Sequence, residues 1–111
     1  MRLITNLPAH SDYKRLMLQQ TEQDVFLFFY NTLADAPCVG DLWFENLASA
    51  YEYTARVFGV SDQDWEVIPD PLPNCQHDFI HPVRVKGRDE GSPIWGKFEK
   101  LENGEWIDYS P

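Results

Sequence analysis

Residues 46–58 are the only part of this 111-residue chain that reads as a helix, and that restricts the folds open to the rest. Asn46 stands where a short side-chain acceptor satisfies an orphan N–H at a helix start. Gly59 stands where a chain leaves a helix through a left-handed residue. Leu47, Tyr51, Thr54 or Ala55, and Phe58 recur at helical spacing, so the helix has one apolar stripe to bury. The apolar residues elsewhere fall in short runs bounded by turn formers, the pattern of strands. One amphipathic helix among many short strands predicts an α+β fold. The expected form is an antiparallel sheet of about five to seven strands with the helix on one face and a C-terminal β-hairpin.

Residues 24–31 are apolar on both faces and predict a strand in the middle of the sheet. Residues 14–19 precede them across Thr21-Glu22-Gln23, as the first arm of a hairpin. Tyr13, Leu16, Met17 and Gln20 could also share a helix face capped by Ser11, but the strand that follows favours the hairpin. Residues 2–5 form a short strand, and residues 1–12 as a whole are prone to fray because Pro8 and its polar neighbours read as loop. Residues 39–44 make a further strand with Gly40 as a bulge. In residues 65–68, Trp65 and Val67 share a face. The helix stripe is expected against Phe26, Phe28 and either Trp43 or Trp65. Residues 83–86 alternate valine with Arg84 and Lys86. Asn103-Gly104, between alternating runs, is the strongest local signal and predicts a tight hairpin, with Trp106 across from Phe98. The length suits a single domain over residues 1–111.

Charge narrows the partners. The net charge is −9, and between Asp35 and Asp78 nine acids face one base, Arg56. Such a surface repels nucleic-acid phosphates and favours a basic protein, or serves solubility alone. Asp62, Asp64, Glu66 and Asp70 are the expected partner surface. The longest apolar run, residues 25–30, is too short to cross a membrane, and the first residues do not read as a signal peptide, so the expected compartment is the cytoplasm. Two cysteines, Cys38 and Cys75, fit that compartment, with a disulfide between them left open.

The densest reactive cluster is Cys75-Gln76-His77-Asp78-Phe79-Ile80-His81, in a proline-rich loop over residues 69–82. Thiolate, imidazole and carboxylate are zinc-binding groups, so Cys75, His77 and His81 could supply three ligands, with Asp78 or Cys38 a fourth. The spacing fits no standard finger, and the plainer expectation is that Cys75 and Phe79 pack inwards while His77 and Asp78 face water. Cys75 as nucleophile with His77 as base is an alternative, weakened because neighbours in extended chain point apart. No catalytic residue, cofactor or metal is therefore expected. The loop is expected to be ordered, with Cys75, His77, Asp78 and His81 near the start of a basic stripe at Arg84, Lys86 and Arg88, and Cys75, His77, Asp78, His81 and Arg84 are the candidate binding residues.

In size, acidity and lack of catalytic motifs the chain resembles the small bacterial immunity and inhibitor proteins that neutralise basic toxins. The likeness is carried by no motif. It implies a protein-binding module that engages a basic partner. The alternative is a small metal-binding or catalytic domain centred on Cys75, His77 and His81.

Overall fold

The computed structural model describes residues 1–110 and is an α+β fold with one main helix and two antiparallel sheets. The chain divides into two compact units, Met1–Ala34 with Cys38–Asp70, and Asp35–Pro37 with Pro71 onward. Among the described residues no helix is long and apolar enough to cross a membrane.

The first unit holds β1 (Arg2–Asn6), β2 (Arg15–Gln20), β3 (Val25–Tyr30), β4 (Gly40–Phe44), α1 (Leu47–Phe58) and β5 (Glu66–Ile68), with sheet order β4-β3-β2-β1-β5. The hairpin expected across Thr21 is present: β2 and β3 pair from Arg15 opposite Tyr30 to Gln20 opposite Val25. The middle strand, however, is β2 and not the bulky β3. Residues 2–6, expected to fray, pair on both sides, with β2 and with β5, and so push the centre one strand over. Polar Arg15, Gln19 and Gln20 disguise β2, yet its residues Leu16 to Gln19 are all buried. At the start of β4, Gly40 stands opposite Phe29, whose carbonyl accepts the Val39 N–H at 2.8 Å, and the register from there to Phe44 runs one-to-one with β3.

α1 ends as its sequence dictates. The Asn46 side chain accepts the Ser49 N–H at 2.8 Å. Gly59 turns left-handed at φ 70°, and its N–H returns to the Ala55 carbonyl at 3.0 Å. The stripe lies slightly to one side of expectation: Ala50 and Thr54 are fully buried, Leu47, Tyr51 and Phe58 are half-buried, and Ala55 is exposed. The helix belongs to the core formed by Leu3, Leu16, Leu18, Val25, Leu27 and Phe29. Phe26 and Phe28, expected beneath it, lie on the other face of β3, stacked on each other at 6.2 Å. Strand residues alternate faces, so an offset of one exchanges the whole set. Trp65 does pack with Tyr51, ring centres 6.3 Å apart, but Trp43 is exposed and its indole N–H donates to Asp24 Oδ1 at 2.8 Å. Val67 pairs with Leu3, on the face that Trp65 packs against, as expected, but on the outer strand it stays 66% exposed.

The second unit holds β6 (Val83–Val85), β7 (Phe98–Glu102) and β8 (Glu105–Tyr109), in order β6-β7-β8. Asn103 and Gly104 both take positive φ, 52° and 81°, the two-residue turn that matches strand twist. Trp106 stands opposite Leu101, while Phe98 faces Tyr109, so the expected Trp106–Phe98 pair does not form. The two-residue turn fixes that register. Among the described residues of this unit, Val83, Val85, Cys75 and Phe79 are the buried apolar side chains.

Candidate functional site

The proline-rich loop is ordered, and an unforeseen residue holds it. Asp35 Oδ1 accepts the Ile80 N–H at 2.8 Å, and Oδ2 accepts the His81 N–H at 2.8 Å and lies 2.9 Å from His81 Nδ1. One carboxylate thus clamps the end of the loop through two backbone donors, the strong kind of hydrogen bond. The Gln76 N–H closes the loop onto the Val83 carbonyl at 2.7 Å, and Phe79 packs edge-on against Tyr109 at 6.1 Å. Cys75 is buried, Asp78 half-buried, and His77 and His81 exposed. Among the described residues no three His, Cys, Asp or Glu side chains come together to hold a metal ion, so Cys75, His77 and His81 are not gathered into a centre. Cys38 and Cys75 are both thiols and form no disulfide.

Arg84 and Lys86 of the expected basic stripe are held within their own unit, whereas Arg88 lies beyond β6 in a short helical turn and is exposed. The Arg84 guanidinium lies 3.8 Å from the ring centre of Trp106, within 3.2 Å of Glu99 and 3.5 Å of Asp89. Its side chain is 13% exposed, which ties it to the sheet rather than to an outside anion. Lys86 pairs with Asp108 at 2.7 Å, and that hydrogen bond, followed by the Asp108 charge, raises its pKa. Lys100 pairs with Glu102 at 3.4 Å.

The acidic surface is partly used as well. Asp64 accepts the Ser61 N–H at 2.9 Å, closing the turn before β5, and Asp70 pairs with the Met1 amino group at 3.0 Å. Asp62 and Glu66 are exposed and make no ion pair among the described residues. The Tyr51 pKa is raised, first by burial and then by the negative charge of Asp62. Asp41 and Glu45 are likewise exposed and without an ion pair among the described residues.

Beside this surface lies a recess of about 760 Å³, between the loop before β2, the outer strand β4 and the second half of α1. Its aromatic wall comes from Tyr13, Phe29, Tyr53 and Phe58. These rings are in mutual contact: Tyr13 to Phe29 at 5.0 Å, Phe29 to Phe58 at 6.0 Å, Tyr53 to Phe58 at 6.3 Å. Its acidic lining residues are Asp12 and Asp41. On the other side of Phe58, a second recess of about 580 Å³ is lined by the helix end at Gly59 and by Asp64 and Glu66. Neither recess was expected, because residues 10–13, 29, 40–42 and 53–58 meet only through the folded sheet. No family model, curated protein or solved structure matches this chain.

Proposed function

We propose that this chain is a protein-binding module of the immunity or inhibitor type, which engages a basic partner through the acidic surface of its five-stranded unit. One observation supports it most: most of the bases are committed within the chain, while a group of exposed acids on one unit makes no ion pair among the described residues. Of nine Lys and Arg residues, seven are held by groups of the chain itself, as Arg2 is by the Pro69 carbonyl at 2.7 Å and Arg56 by Glu52 at 3.0 Å. Asp41, Glu45, Asp62 and Glu66 meanwhile stand exposed on one unit. Such a surface repels like charge and speeds encounter with a positive one. The proposal places the chain in the cytoplasm, where Cys38 and Cys75 remain thiols.

The test is the association rate of the full chain with a synthetic lysine- and arginine-rich peptide, measured from about 0.1 M to about 1 M salt, where the screening length falls from about 10 Å to about 3 Å. The rate should drop by about tenfold or more, and the double variant Asp62→Asn, Glu66→Gln should already be slow at low salt. An association indifferent to salt, or equal binding of an acidic peptide, would refute the proposal.

A further inference from the structure

We infer that the recess between β4, α1 and the loop before β2 is an arginine-binding pocket, which takes one arginine side chain of a basic partner. This rests on the function proposed above and adds the place where the partner anchors. The recess, about 760 Å³ and open to solvent, has room for one long side chain. Its wall has the chemistry of a guanidinium site. The half-buried Tyr13, Tyr53 and Phe58 line it together with the buried Phe29, and a planar cation stacks on aromatic rings better than an ammonium does. Val57 and Leu42, 47% and 39% exposed, leave apolar surface for the arginine stem. Asp12 and Asp41 supply the negative charge.

Two further features carry the same sign. The recess lies at the C-terminal half of α1, where the helix dipole favours a cation. Already on Tyr53 rests one guanidinium, that of Arg56, 5.7 Å from the ring centre and paired with Glu52 at 3.0 Å. The nearby Lys14 does not fill the recess; its ammonium is turned to the Ala9 carbonyl at 2.9 Å. An apolar ligand would leave Asp12 and Asp41 to be desolvated without compensation, and an anion would be repelled by both.

The experiment titrates the full chain with a synthetic arginine-rich peptide, its citrulline counterpart (same shape, no charge) and its lysine counterpart, following amide resonances by NMR and affinity by fluorescence anisotropy. The arginine peptide should shift Tyr13, Gly40 and Val57, and bind at least tenfold tighter than the citrulline peptide, with lysine between. Val57→Lys changes an exposed position and sets an ammonium at the mouth of the recess; it should weaken arginine binding at least tenfold. Asp12→Asn, also exposed, should weaken it severalfold, while Glu105→Gln, exposed on the three-stranded unit and outside both the recess and the acidic surface, should change it less than twofold. If Val57→Lys binds the arginine peptide normally and only the Asp62→Asn, Glu66→Gln variant fails, the pocket is refuted and the acidic surface stands. If the citrulline peptide binds as well as the arginine peptide, both are refuted.

Discussion

Replacing Asp35 should loosen the proline-rich loop more than any change to the reactive residues within it. Both carboxylate oxygens are occupied: one by the Ile80 N–H, the other by the His81 N–H, each at 2.8 Å. A hydrogen bond to a charged acceptor is worth about 1.5–3 kcal/mol net. The Asp35 side chain is 23% exposed, so water replaces part of what is lost, and we take about 1–1.5 kcal/mol for each bond. Asp35→Ala removes both and should cost about 2–3 kcal/mol. Asp35→Asn keeps one carbonyl oxygen but aims an NH2 at a backbone N–H, and should cost about 1–2 kcal/mol. His81→Ala removes an imidazole that is 77% exposed, and should cost under about 0.5 kcal/mol. Thermal unfolding followed by circular dichroism would read the first change as a loss of about 8 °C or more. Amide exchange localises it: Ile80 and His81 should lose protection, while Leu16 and Leu27 in the other unit keep theirs. If Asp35→Ala melts within 2 °C of the parent and both amides stay protected, the clamp is not what holds the loop.

Other changes probe the remaining supports. Gly104→Val should cost about 1–2 kcal/mol by urea unfolding, purely from the positive φ of 81°, because a Cβ there meets nothing within 4 Å. Arg84→Lys should cost about 1–2 kcal/mol despite keeping the charge, since an ammonium neither stacks on Trp106 nor reaches Glu99 and Asp89 together. Tyr51 has a folded pKa above its ordinary 10.0, so its contribution to stability is complete below about pH 10 and is lost as pH rises through the folded value. Phenolate absorbance, taken as the difference from Tyr51→Phe, should show that late ionisation, and Asp62→Asn should bring it part of the way back towards 10.0.

How much was legible in the sequence depends on the range of the signal. The Asn46 and Gly59 caps and the Asn103-Gly104 turn are local, and each acts where it is written. The β2–β3 hairpin is nearly local but less clear, because Tyr13, Leu16, Met17 and Gln20 fit a helix face as well as a strand. Faces were harder. Val25 to Tyr30 is apolar at every position, so alternation gives no clue to which half of it the helix covers, and Phe26 and Phe28 were set on the wrong side. The order of strands was harder still. A five-residue N-terminal strand can sit at an edge or inside, and what settles it is the pairing of Arg2 to Ile4 with Glu66 to Ile68, more than 60 residues away.

Charge is the exception, because it adds up whatever the fold, yet its meaning still needs the structure. Of the nine acids between Asp35 and Asp78, Asp35 clamps a loop, Glu52 holds Arg56, Asp64 closes a turn and Asp70 meets the amino terminus. The raw count therefore overstates what a partner would feel, and two of the four residues expected to face it are engaged at home. Asp78 is half-buried, and the exposed remainder, Asp41, Glu45, Asp62 and Glu66, is fewer but better placed, for Asp41 lines one of the two recesses that meet at Phe58 and Glu66 the other. An acidic surface alone would attract any cation. A cavity walled by four aromatic rings distinguishes a guanidinium from a bare positive charge, and it is there, rather than in the sum of charges, that a partner could be told from the crowd of other basic proteins.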